Sequence, residues 1–236
     1  MNRLIPYSGE VYAYLLAGYS DAYIALEIAV CLAGAALLLT GARATLMTCR
    51  IAGAVLAILW AWIGVGFYWL TYQPLNWAGF YFGWAALLQA VLILVWSLPG
   101  GRFRPTARIA VFSHWMGLAA LILAALMGPF MRLLSEGSVT AIQAVGVTPL
   151  ATVTATLALF LLNTTRIPFW LLPVPVILLV WDFIRAQVLG VVQDNVLLAA
   201  AAAVLVFLLH GFLRFRQSGE ARDRRIHRDG KNSTRN

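Results

Sequence analysis

"LWAWIGVGFYWLTYQPLNWAGFYFGWAALLQAVLILVW", Leu59 to Trp96, decides the fold class. It contains no Asp, Glu, Lys or Arg. Two apolar runs, each about 20 residues long, flank the short polar "YQPLN", and that length suits a membrane-crossing helix. Lipid offers the backbone no hydrogen-bond partner, so such runs must be helical. Pro74 is expected to stop the first helix and Asn76 to cap the second. From Phe67 to Trp84 the hairpin crowds nine aromatic side chains. Trp and Tyr favour the headgroup layer, where the ring is half buried and its N–H or O–H stays wet. Tyr68, Trp69, Tyr72, Trp77, Tyr81 and Trp84 are therefore expected to form an aromatic belt. The alternative for the same rings is the lining of a pocket.

Composition extends this reading to the whole chain of 236 residues. It is 62% hydrophobic and 11% charged, whereas a soluble domain carries about 25% charged residues. Seven apolar spans are expected at approximately 22–40, 51–71, 77–98, 109–127, 147–163, 168–188 and 194–213. Before them, residues 1–21 read as an interfacial segment with no clean signal-peptide pattern. The segment "GPFMRLLSEGSVTAIQAVG" is too polar to span and is expected to form an interfacial helix. Residues 214–236 read as a basic, disordered cytoplasmic tail. That tail has eight basic residues against three acidic ones, which supplies most of the net charge of +8. Basic charge placed directly after an apolar helix suits a membrane tether, so no nucleic-acid partner is expected. Cys31 and Cys49 are too far apart along the chain's first helix for a disulfide.

Three further motifs are "WAGFYFGW" (77–84), "GVTP" (146–149) and "LLPVPV" (171–176). With them, over roughly residues 10 to 210, the chain resembles a domain-of-unknown-function family of small bacterial multi-pass membrane proteins. The resemblance implies an integral membrane protein and brings no assigned activity.

Ionisable groups inside lipid cost at least about 2–3 kcal/mol on insertion scales and call for a functional reading. Glu27 falls in the first span. Asp182 and Arg185 stand at i,i+3 on the sixth and could simply neutralise each other. Together with Asn76 and Gln89 they form a candidate polar intramembrane cluster at the outer side. In "GVTPLATVTATLALFLLN", Thr148 and Pro149 read as N-cap and first helical residue. Thr148, Thr152, Thr156 and Asn163 share one candidate polar helix face, which could serve packing or line a conduit. Pro173 and Pro175 are expected to kink or break the sixth span. No cofactor is expected; His114 and His210, on different spans, are the candidates for holding a haem b or metal ion.

There is no H-E-x-x-H, no G-x-S-x-G and no phosphate-binding glycine loop. The chain's one lysine, Lys231, lies in the tail, which excludes a retinal Schiff base. The reading is an all-α, polytopic bundle of about seven transmembrane helices, N-out and C-in, in a cell inner membrane. Its partners would be the bilayer and either further copies of itself or another membrane protein. Function leans to the non-enzymatic: small-solute or ion permeation, or a lipid- or partner-binding subunit. The competing class is a membrane-embedded redox or lipid-modifying enzyme. Orientation follows from Arg and Lys, which crowd the inner segments. A reporter fused after Asn236 should read cytoplasmic, and a periplasmic signal would reverse the orientation.

Overall fold

The computed structural model describes residues 5–40, 45–100, 102, 112–134, 145–163, 167–191 and 194–210. Among them there is no strand. Eight α-helices follow one another: α1 Gly9–Ala22, α2 Ile24–Thr40, α3 Leu46–Trp62, α4 Gly79–Ser97, α5 Phe112–Leu134, α6 Pro149–Leu161, α7 Pro173–Leu189 and α8 Asp194–His210. Each of the seven expected spans contains a helix. Three helices are long and apolar enough to cross a membrane: Leu46–Tyr72, Gly79–Ser97 and Phe169–Leu189. A fourth is gained if α1 and the described part of α2, bent by 68°, count as one span. His114–Gly128, Pro149–Leu161 and Asp194–His210 are apolar but shorter. The basic tail lies outside the described residues, as does most of "GGRFRPTAR". The segment expected to form an interfacial helix begins as a continuation of α5 to Leu134; its part from 135 to 144 is also outside them.

Local chemistry explains the boundaries. Ser8 accepts a hydrogen bond from the backbone of Val11 and starts α1. Thr45 does the same for Thr48 at the start of α3. Thr148, in extended backbone, precedes Pro149 at the head of α6, as the sequence suggested. Gly190, at φ 68°, closes α7 in the left-handed conformation that glycine adopts without strain. Two expectations are corrected. Pro173 and Pro175 do not kink a helix interior; they occupy the first turn of α7, where no backbone donor is needed. A short 3₁₀ turn, Phe169–Leu171, precedes them. Asn76 is not the N-cap of α4, which is Ala78. Its side-chain oxygen accepts from the Ala78 N–H at 3.0 Å and closes the turn before the helix.

One feature had no sequence signal. After Trp62 the third helix continues as a π-helix, Ile63–Tyr72. Its wider turn is sealed by the Gln73 N–H donating to the Tyr68 carbonyl at 2.9 Å. Residues five apart on an α-helix point about 140° apart. Here Phe67 and Tyr72 stack face to face, 5.9 Å between centroids and 12° between planes.

Glycines let α4 close on this segment. A Cβ at Gly64 would stand 2.9 Å from the Gly83 carbonyl oxygen. One at Gly79 would stand 2.9 Å from both the Tyr68 carbonyl and the Gln73 nitrogen. Close backbone approach through small residues is how helices pack where lipid removes the hydrophobic drive. The outward face of the same helices is apolar: Ile58, Leu70, Leu88 and Val95 are all more than half exposed. So much bare apolar surface suits a membrane protein.

Because backbone atoms cannot swing aside, Gly79→Ala should force the π-helix and α4 apart. A loss of roughly 1–3 kcal/mol is expected, read as a lower thermal midpoint of the purified protein. An unchanged midpoint would show that the helices are not held this closely.

Candidate functional site

Five chain segments meet at one end of the bundle: the residues before α1, the end of the π-helix, the start of α4, the end of α7 and the start of α8. The contacts that join them are polar or very short. The Tyr7 and Tyr72 hydroxyls lie 2.6 Å apart. A Cβ on Gly9 would stand 2.7 Å from the Leu189 carbonyl oxygen. At the opposite end, the Arg50 side chain donates to the Leu98 carbonyl and Asn163 donates to the Arg102 carbonyl.

Arg185 is the centre of the first end. It is 1% exposed, and the neighbouring Asp182 and Asp194 are fully buried. Its Nη1 lies 2.8 Å from Asp182 Oδ1, and its Nη2 lies 3.6 Å from Asp194 Oδ2. The Tyr12 ring lies beneath the guanidinium, 4.4 Å from its central carbon, a cation–π contact strengthened by the absence of water. The contact to Asp182 is a charge contact without aligned hydrogen-bond geometry. Neither Asp182 oxygen and no Arg185 nitrogen has a hydrogen-bond partner among the described residues. The same holds for the Tyr12 and Tyr68 hydroxyls, both on fully buried residues. Buried charges and polar groups are costly, and the gathering of one cation, two carboxylates and several phenols in one place marks the site.

Aromatic rings enclose it. Tyr7 stacks on Tyr12 at 6.0 Å, and Tyr72 meets both edge-on. Tyr68 lies edge-on to Tyr72 and against Phe82, which packs on Trp181 at 4.8 Å. Asn76 Nδ2 donates to the Tyr72 hydroxyl at 3.5 Å. Tyr7 is half buried and stands before α1; burial, then the nearby Tyr72, hold its phenol well above the ordinary range, so it is a neutral hydroxyl.

The expected aromatic belt is thereby corrected. Trp77, Tyr81 and Trp84 are more than half exposed and can serve as a belt. Tyr68 and Tyr72 are fully buried and belong to the site. Trp69 is half buried, with its indole N–H donating to the Phe80 carbonyl at 3.1 Å rather than to a headgroup. The wide turn of the π-helix makes this division.

The candidate polar cluster is only partly assembled. Asp182 and Arg185 pair, and Asn76 joins them through Tyr72. Gln89 is buried elsewhere, donating to the Leu171 carbonyl at 3.1 Å. Glu27 is buried one turn before Cys31, whose thiol meets the Ala125 carbonyl of α5 at 3.9 Å. Both cysteines are free. On α6, Thr152 accepts from the Gly146 N–H at 2.7 Å. The Thr156 hydroxyl donates to the Thr152 carbonyl and accepts from the Trp60 indole at 3.0 Å. Thr148 is buried beside Pro149. His114 is half buried and His210 exposed, at the end where Phe112 of α5 meets Phe207 of α8 at 5.7 Å. No group of three metal-ligating side chains occurs among the described residues.

Sequence reasoning missed Asp194, Tyr7 and Tyr12. Asp194 had a signal: it stands nine residues after Arg185, at the head of the next helix. The two tyrosines had none, because their partners are remote in sequence.

A family model describing a family of unknown function (DUF6064) matches residues 9–218. The chain belongs to this family. No curated protein and no solved structure matches it. The DUF6064 match spans α1 to α8, so every residue of the Arg185 site except Tyr7 falls within it.

Removing one partner from a buried ion pair costs about 3–5 kcal/mol, so Arg185→Ala should lower the thermal midpoint severely. Tyr72→Phe removes a bonded hydroxyl, worth about 1 kcal/mol. Tyr68→Phe removes an unbonded one and should be neutral or stabilising. Equal losses for the two phenylalanine variants would contradict the hydrogen-bond assignment.

Proposed function

We propose that this protein is a seven-span inner-membrane protein of bacterial type, N-terminus outside, that works without covalent chemistry. Its role is to take a small polar solute or ion from the outer face into the Arg185 site. One observation carries the reading: a fully buried guanidinium, two buried carboxylates and several phenols gather at one end of an apolar bundle. The charge asymmetry of the loops supports placing this end outside. Seven helical segments at the seven apolar runs support the span count. The hydroxyls of Thr152 and Thr156 are occupied, which favours the Arg185 site over a conduit along α6. The rings of Trp77, Tyr81 and Trp84 would sit in the outer headgroup layer.

Cysteine accessibility tests this, in a background where Cys31 and Cys49 are replaced by serine. A membrane-impermeant thiol reagent added outside should label Tyr7→Cys, while Thr152→Cys and Thr156→Cys stay protected. Labelling of both threonine positions with protection of Tyr7→Cys would move the pathway to α6. Labelling of Tyr7→Cys from the cytoplasm alone would invert the orientation.

A further inference from the structure

The Arg185 site is closed. Arg185, Asp182 and Asp194 are buried almost completely, so nothing reaches them until a cover moves. Asp182 stands on α7 with Arg185, and Asp194 heads α8. The ring beneath the guanidinium, Tyr12, belongs to α1. Lifting α1 would therefore leave the cation with both carboxylates and take away the ring.

α1 is built as a separable piece. Its buried residues Tyr12, Leu16 and Tyr19 form one stripe, while Val11 and Tyr14 on the other side are exposed. Among the described residues, α3, α4, α6 and α7 pack backbone against backbone, whereas α1 brings few Cα atoms near any other helix. It reaches the bundle through rings. Tyr12 meets Tyr72 edge-on at 6.4 Å, and Tyr19 meets Phe67 edge-on at 5.5 Å. The Tyr12 hydroxyl has no hydrogen-bond partner among the described residues, so its ring can withdraw without breaking a bond of its own.

Both ends of α1 suit such a movement. At one end the single residue Tyr23 separates α1 from α2, and the two helices meet at 68°. Hinges are element-terminal positions of this kind. The Tyr23 ring rests on Trp62 at 5.1 Å, which keeps the pivot on α3. The other end is fastened at two points. The Tyr7 hydroxyl, just ahead of the helix, bonds to that of Tyr72 at 2.6 Å. Gly9 lies so close to the end of α7 that a Cβ there would stand 2.7 Å from the Leu189 carbonyl oxygen.

We infer that α1 is a lid on the Arg185 site, hinged at Tyr23 and latched by the Tyr7–Tyr72 hydrogen bond and the Gly9–Leu189 contact. It lifts to admit the solute and reseats the Tyr12 ring behind it. Opening of one element while the rest stays folded is a general property of proteins. This rests on the site proposed above and supplies its gate.

Hydrogen–deuterium exchange of the full-length protein in lipid nanodiscs tests it, together with phenylglyoxal, which modifies accessible guanidinium groups. The amides of α1 should exchange as a unit, faster than those of α6 and α7. Tyr7→Phe and Tyr72→Phe break the same latch. Each should speed α1 exchange and Arg185 modification about fivefold, the worth of one hydrogen bond, with α6 and α7 unchanged. Gly9→Ala should act in the same direction; if it does not accumulate, the two phenylalanine variants decide. Exchange of α1 no faster than that of α7 overturns the lid, as does equal acceleration in every helix. Faster α1 exchange with Arg185 still unmodified removes its role as a cover. Outside labelling of Tyr7→Cys with slow α1 exchange would leave the proposed site standing and remove the lid. Fast α1 exchange with labelling of Tyr7→Cys from the cytoplasm alone would keep the lid and reverse the orientation.

Discussion

A guanidinium cannot be left alone inside an apolar bundle. Arg185 carries a full charge on a fully buried side chain, and the rest of this end of the molecule is arranged around it. Its own helix supplies Asp182, the next helix supplies Asp194, and the first helix supplies the Tyr12 ring. Asp194 and the Tyr12 ring come from other helices, so the charge lies where α1, α7 and α8 meet. A salt bridge of this kind is weak evidence for added stability, because desolvation takes back much of the Coulomb gain. Its structural consequence is that α1 and α8 each bring a side chain to one charge on α7.

The π-helix follows from the same demand. Had α3 continued as an α-helix, Phe67 and Tyr72 would point to different faces and could not stack. The wider turn brings Phe67, Tyr68 and Tyr72 together, with Phe67 against Tyr19 of α1. It also leaves a broad backbone that only glycine can approach, which accounts for Gly64, Gly79 and Gly83 at the contact with α4. π-helical turns are rare and concentrate at functional sites. Here the rarity has a visible product, a cluster of rings that reaches Tyr12 beneath a buried charge.

Much of the fold was legible in the sequence because it depends on length and polarity. The seven apolar runs all hold helices, and Thr148–Pro149 begins α6 where the residue types said it would. The failures share a cause. Pro173 and Pro175 looked like breakers because span boundaries drawn from hydropathy placed them inside a helix, and the backbone places them in its first turn. Tyr68 and Tyr72 looked like belt residues because composition cannot distinguish the buried face of a hairpin from its wet one. That distinction depends on helix type, and ten ordinary-looking residues, "IGVGFYWLTY", gave no sign of a π-helix. Asp182 with Arg185 was legible as a local pair. Tyr7 and Tyr12 were not, because their roles arise from packing across the length of the chain.

The polar residues divide by whether their bonds close on themselves. Trp60, Thr152, Thr156 and Gly146 form a closed set, in which each named group finds a partner within the bundle. Such sets hold helices together in lipid, where a polar group without a partner is expensive. The Arg185 set does not close. Its charges balance in part, but its hydrogen bonds do not. A bundle that can satisfy Thr156 twice over has the means to satisfy Tyr68, by geometry or by replacing it with phenylalanine. Around Arg185 the balance is struck between charges instead, with Asp182 and Asp194 beside the guanidinium and the Tyr12 ring beneath it.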